Sequence, residues 1–192
     1  MKTSTPTSST QATRAGSALT PALVVRHALA ILAGTAVIAL AAQIAIPFKP
    51  VPVTMQTLAV VLVGWKLGSV RGLSAAGLYG VLGSAGLPIF AAGASGVGPS
   101  TGFVVGFALS AAFVGWMSRE ASSGWRALAV FGVGLAIPYV PGLIWLSAVT
   151  GLGAPWSWPV LSVGLVPFIA GDLIKLGMAT SVASAWAWRR RP

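Results

Sequence analysis

An all-α integral membrane protein is the fold this sequence predicts, as a bundle of six transmembrane helices with both termini in the cytoplasm. Three observations lead there. Of the 192 residues, 56% are hydrophobic and only 7% charged, where an ordinary soluble domain carries roughly 25% charged residues. A soluble chain this short keeps much of its surface in water and could not hide that much apolar area, a difficulty that lipid removes. The apolar residues come in runs, several near the ~20 residues that cross a bilayer core as helix. The basic residues, which give a net charge of +10, lie between those runs or at the termini, apart from Lys175.

The elements follow in order. Residues 1–20 are rich in Ser, Thr, Ala and Pro and are expected to form a disordered cytoplasmic tail; residues 21–192 form one membrane domain. The first apolar run is too long for a signal peptide and lacks a convincing cleavage site. The first span is expected over 26–46. It ends in Pro47-Phe-Lys-Pro-Val-Pro52, where three prolines in six residues break any helix. The second (54–67) and third (73–87) are short and are expected to extend into their flanks. Residues 88–100 form an uncharged loop whose glycines permit tight turns. The fourth span covers 102–117. The fifth covers 128–149, interrupted by Pro138 and Pro141. A Gly/Pro/Trp loop follows, and the sixth span runs to 188 from Val160, or from Pro167 if the helix restarts there.

The charges orient this count. With the N-terminus inside, the cytoplasmic segments hold Lys2, Arg14, Arg26, Lys66, Arg71, Arg119, Arg126, Arg189, Arg190 and Arg191, and the outer loops hold only Lys49. That asymmetry is the positive-inside pattern. Trp65, Trp116, Trp125, Trp186 and Trp188 fall near the inner interface, and Trp156 and Trp158 near the outer one, as aromatic belts do. A basic chain of this kind calls for a lipid bilayer rather than nucleic acid. Small residues four apart let helices approach closely. Ala30/Gly34 and Ala41/Ala45 in the first span, and Gly102/Gly106 in the fourth, serve either internal packing or contact with a partner membrane protein.

Chemistry has one place to occur. The chain has no Cys and a single His, His27, so neither a thiolate site nor a His-based metal cluster is available. No nucleotide-binding Gly-Lys motif and no nucleophile–base arrangement is present; no catalytic residue and no cofactor are expected. Glu120 lies beside Arg119 in a cytoplasmic loop and is expected to be solvated. Asp172 and Lys175 differ, because they lie within an apolar span, where charge is expensive and retained for a reason. Three residues apart, they share a helix face. The pair either only holds the bundle together or forms the polar patch of a substrate cavity. Gln56, Tyr139 and Phe90 are candidates to line such a cavity, with Gln43 and Trp145 behind them.

Three fragments carry a resemblance. Ile46-Pro-Phe-Lys-Pro-Val-Pro-Val-Thr-Met-Gln-Thr-Leu-Ala59 is the first. Gly86-Leu-Pro-Ile-Phe-Ala-Ala-Gly93, followed by Gly98-Pro-Ser-Thr-Gly-Phe-Val-Val-Gly-Phe107, is the second, and Gly171-Asp-Leu-Ile-Lys175 the third. In order and spacing they resemble the BioY family, the biotin-specific substrate-capture (S) subunits of energy-coupling-factor transporters, across residues 26–188. The resemblance implies an outward-facing cavity that binds biotin, capped by the first and third inter-helix loops. It implies that Asp172 and Lys175 hold the ureido head. It implies partners as well: a membrane coupling subunit and two ATP-binding-cassette ATPase subunits. Ala30, Gly34, Ala41 and Ala45 then contact the coupling subunit, and the chain sits as a multi-pass protein in a bacterial cytoplasmic membrane. Some members of the family are expected to use an Asn in or near the third span for the ureido group. This chain has no Asn; Ser95, Gln56 and Tyr79, or the backbone of Ala92 and Gly93, are the groups that can take its place.

The leading expectation is therefore a high-affinity biotin-capture subunit that is not an enzyme. The alternatives are an S subunit for another vitamin, a proton-coupled secondary transporter using Asp172, and a membrane scaffold whose ion pair is purely structural.

Overall fold

The computed structural model describes residues 20–122 and 124–189. Of the expected tail only Thr20 falls within that range; Lys2, Arg14, Arg190 and Arg191 lie outside the described residues. Helices dominate: α1 Pro21–Gln43, α2 Gln56–Leu67, α3 Ser69–Ser84, α4 Thr101–Trp116, α5 Gly124–Ala136, α6 Tyr139–Thr150, α7 Trp158–Gly164 and α8 Val166–Arg189. Proline opens α1, where its missing N–H has no helical acceptor to lose. The α3 helix begins earlier than its apolar run, at Ser69, whereas α2 stays at its short length. Among the described residues three helical stretches are long and apolar enough to cross a bilayer: Pro21–Gln43, Gly124–Thr150 and Val166–Arg189.

One element is new. The segment between α1 and α2 is a small antiparallel ribbon, β1 Ala45–Ile46 against β2 Val53–Thr54, with Ala45 opposite Thr54 and Ile46 opposite Val53. The prolines, which lack a donor, occupy the tip, and β-branched residues fill most of the paired positions.

The break in the fifth span shows why proline interrupts it there. Pro138 has no N–H to give the Gly134 carbonyl. The Ser110 hydroxyl of α4 donates to that carbonyl instead, at 2.6 Å. A buried acceptor is thereby satisfied and the kink fixed. The sixth span is broken too: α7 ends at Gly164, and α8 starts at Val166, one residue before Pro167.

The α4 helix is the hub, packed against α2, α3, α5 and α6. Its glycines make this possible. A Cβ on Gly102 would overlap the Pro141 carbonyl and the Cβ of Trp145, and one on Gly106 would overlap Pro138. The Gly102/Gly106 pair is therefore an internal seam of the small-residue kind. Gly34 is also turned inward: a Cβ there would lie 2.9 Å from Leu67 and 3.0 Å from Ala75. That position packs α1 onto α2 and α3, so the expected partner contact has no free surface at Gly34. Ala30, Ala41 and Ala45 are half-buried.

Large apolar side chains such as Leu32 and Leu40 on α1, and Leu173 and Ile174 on α8, are exposed. Patches on this scale are untenable in water and ordinary against acyl chains. At one end of the bundle the Lys66 ammonium, from the last turn of α2, lies 3.0 Å from the ring centroid of Trp186 near the end of α8. The turn between α2 and α3 meets Gly115 of α4 at the same end. Arg126 and Glu120 pair at 3.3 Å in the solvated connection between α4 and α5. Glu120 is exposed as expected, and it pairs with Arg126.

Candidate ligand-binding site

A pocket lies among α2, α3, α4, α6 and α8. It falls between two apolar clusters. Val51, Phe103, Phe107 and Phe168 of its lining belong to one, and Leu135 to the other. Its lining has the character of small-molecule pockets: mainly apolar, with a few converging polar groups.

The polar groups form two sets. The first is built on α8. Asp172 and Lys175 stand three residues apart, and the Lys175 ammonium donates to Asp172 Oδ1 at 2.9 Å. From α6 the Tyr139 hydroxyl donates to the other carboxylate oxygen, Oδ2, at 2.5 Å. From α2 the Thr57 hydroxyl accepts from Lys175 at 2.9 Å and lies 3.4 Å from Asp172 Oδ1. Lys175 is 4% exposed. Such a charge is tolerable because it has a counter-charge in Asp172 and an acceptor in Thr57.

The second set sits where α2 begins. The Thr54 hydroxyl donates to Gln56 Oε1 at 2.9 Å, and Gln56 Nε2 donates to the Tyr79 hydroxyl at 2.5 Å. Tyr79 is fully buried on α3. Its ring meets Phe90 edge-on, with centroids 5.3 Å apart. Phe90 itself lies against Gly83, where any Cβ would overlap its ring. Phe103, Tyr139 and Phe168 form an aromatic corner beside the first set, with centroids 6.0–6.3 Å apart.

The hydrogen-bonding capacity of the two sets is not used up. The carboxylate of Asp172 has about four lone-pair directions and uses two or three of them. Lys175 has a third N–H beyond those given to Asp172 and Thr57. Gln56 has a second amide N–H, and the Tyr79 hydroxyl accepts from Gln56 while its own proton is uncommitted among the described residues. The site thus offers an anionic acceptor at one place and N–H and O–H donors beside it. No group of three His, Cys, Asp or Glu that could hold a metal is present among the described residues.

This geometry has relatives among known proteins. The sequence model of the BioY family matches residues 8–191. The chain belongs to the BioY family. That family consists of transporter components and not of enzymes. The chain is 38% identical over 153 residues to the biotin transporter BioY of Thermotoga maritima, covering 78% of this chain and 88% of that one. It is 34% identical over 154 residues to biotin transporter BioY2 of Lactococcus lactis subsp. cremoris, covering 77% and 82%. The fold is similar to the crystal structure of the S-component for biotin from an ECF-type ABC transporter. The TM-score is 0.73 and the identity 26%, over 91% of this chain and 96% of that one.

Of the residues singled out from the sequence, Asp172, Lys175, Gln56, Tyr139, Phe90 and Tyr79 converge on the cavity. Gly93 and Ser95 do not line it; both are exposed on the loop that carries Phe90. Gln43 and Trp145 lie outside the lining as well. Sequence reasoning missed Thr57, which bridges the ion pair, together with Thr54, Phe103, Phe107 and Phe168. A signal for the aromatics existed. Phe168 stands four residues before Asp172, and Phe103 four before Phe107, so each pair shares a helix face.

Proposed function

We propose that this chain is the biotin-capturing S component of an ECF-type transporter, and that the cavity holds the vitamin. The observation that carries this reading is the buried Asp172–Lys175 pair set in an apolar, aromatic-walled cavity. A ureido ring has two N–H donors and one carbonyl acceptor. Asp172 can accept from the N–H groups, and the third N–H of Lys175 can donate to the carbonyl. The phenylalanines suit the apolar ring and chain. Gln56 and Tyr79 supply donors for whatever polar atoms extend toward α3. The family membership and the biotin-named relatives support the same ligand.

Topology and partners follow from the same reading. Six spans are counted with α5–α6 as the fifth and α7–α8 as the sixth. Both termini are cytoplasmic, the cavity opens outward, and the protein resides in a bacterial cytoplasmic membrane. Lys66, Arg71, Arg119 and Arg126 at one end of the bundle fit the positive-inside pattern. The chain couples to a membrane subunit and two ATP-hydrolysing subunits, with Ala30 and Ala41 on α1, and Ala45 in β1 just beyond it, as the contact. The exposed apolar face of α1 suits that role.

Equilibrium binding of labelled biotin to the detergent-purified protein tests the central claim; no saturable binding by well-folded protein would overturn it. Orientation is tested in this Cys-free chain by Lys49→Cys and Arg71→Cys. An impermeant thiol reagent should label the first in whole cells and not the second.

A further inference from the structure

We propose that Gln43 and Trp145 are positioning residues that latch the 88–100 loop over the cavity and so set how fast the ligand enters and leaves; this rests on the biotin-capture reading.

Neither side chain lines the cavity. Gln43 is exposed at the last turn of α1, yet its amide Nε2 reaches across to the loop. It lies 3.3 Å from the Ile89 carbonyl and 3.2 Å from the Phe90 carbonyl, besides 3.1 Å from the Ala39 carbonyl of its own helix. It thus holds two residues at the start of the loop, one of them the cavity-lining Phe90. On the far side, the indole Nε1 of Trp145 on α6 donates to the Gly98 carbonyl at 2.9 Å. That indole is placed by the tight α4–α6 approach at Gly102. Between the two clamps the loop is tied to α3 through the Gly96 N–H on the Gly83 carbonyl, at 2.8 Å, and through the Phe90 ring lying on Gly83. Ala92 and Gly93 both take left-handed backbone angles, with φ of 54° and 74°. They turn the chain back so that the Phe90 N–H reaches the Ala94 carbonyl at 2.9 Å. The result is a compact flap clamped at both ends by side chains from helices that are not its neighbours in sequence.

Neither clamp side chain lines the cavity, and each holds the flap by a backbone carbonyl, that of Phe90 or of Gly98, so the clamps are expected to act alike with and without ligand. Weakening them raises the open fraction of both states. Entry and exit then accelerate together, and Kd changes little. Loss of a ligand contact behaves otherwise: exit accelerates alone and Kd rises in proportion.

The experiment uses Gln43→Met and Trp145→Phe, singly and combined, in the full chain reconstituted in lipid nanodiscs. Each keeps the bulk of its side chain and removes the donor. Association and dissociation rates of labelled biotin are measured with amide hydrogen exchange of the 88–100 segment. Loss of one hydrogen bond predicts about threefold faster rates in both directions for each variant, and about tenfold for the pair. The loop amides should exchange faster in the same order, with α4 and α8 unchanged. Unaltered exchange and rates would overturn the latch, as would a Kd that rises in step with dissociation. If the wild-type chain binds no biotin, the ligand reading fails, and the exchange measurement still decides whether the two side chains hold the flap.

Discussion

The two acidic residues, Asp172 and Glu120, each pair with a base, and the two pairs sit in opposite surroundings. Asp172–Lys175 closes at 2.9 Å with side chains 14% and 5% exposed, ringed by Tyr139 and Thr57. Glu120–Arg126 closes at 3.3 Å with side chains 51% and 61% exposed. Coulomb attraction between unit charges at such distances differs several-fold between the two settings, because the effective dielectric differs. Desolvation differs more, and it cuts the other way. The contrast teaches that an ion pair is read by its surroundings. The exposed pair is a surface contact that water and salt can replace. The buried pair costs desolvation and keeps hydrogen-bonding capacity that a ligand could use.

The largest expected effect comes from breaking the buried pair on one side only. Asp172→Leu or Lys175→Met leaves an uncompensated charge, a penalty of roughly 3–5 kcal/mol. Yield and thermal stability of the purified protein should fall sharply. The double variant Asp172→Leu/Lys175→Met removes both charges at similar volume and should fold near normally. Its biotin affinity should nonetheless drop roughly a hundredfold or more, from two lost polar contacts of ~1.5–3 kcal/mol each. Normal binding by a well-folded double variant would return the pair to a structural role.

Next in size is Tyr139→Phe, which deletes a donor to the carboxylate and keeps the ring. A hydrogen bond to a charged group contributes about 1.5–3 kcal/mol, so a roughly ten- to hundredfold loss of affinity is expected. Isothermal titration of the variant against wild type measures it. Thr57→Val should be milder, about tenfold, and Thr57→Ser should restore binding, since only the hydroxyl bridges Lys175 and Asp172. Equal behaviour of the Val and Ser variants would remove Thr57 from the site.

The smallest effect sharpens the contrast. Glu120→Gln should shift stability by under ~0.5 kcal/mol, as exposed pairs typically do, and leave biotin affinity unchanged. Thermal melts at low and high salt check the first statement and titration with biotin the second. A large loss from this substitution would mean that the solvated connection between α4 and α5 matters more than its exposure indicates.

Much of the molecule was legible from the chain alone. The helices fall close to the apolar runs, and Pro138 breaks the fifth span where it was expected to. Asp172 and Lys175 stood out because charge in an apolar span is rare. Thr57 did not, since a threonine one residue into a helix that starts at Gln56 looks like any terminal polar residue. Gln43 shows a related limit: it is exposed, as a polar residue at a helix end suggests, yet nothing local shows that the Phe90 carbonyl lies within reach. The small residues of α1 illustrate the same limit. Their spacing fits internal packing and partner contact equally, and only the position of Leu67 and Ala75 turns Gly34 inward.

The sequence by itself determined the membrane environment, the run of helices and the one intramembrane ion pair, because each follows from a property summed or contrasted along the chain: hydropathy, charge count, a break at proline. Which helix faces meet was decided only in three dimensions. In water the apolar stripe of a helix marks its buried side. In lipid the surroundings are as apolar as the core, so that marker is lost. The α4 helix, with Val, Phe, Leu and Ala distributed around its whole circumference, shows it most clearly. What turns Phe103 and Phe107 toward Asp172 is close packing at Gly102 and Gly106 against Pro138 and Pro141, a fit between distant segments that no local pattern records.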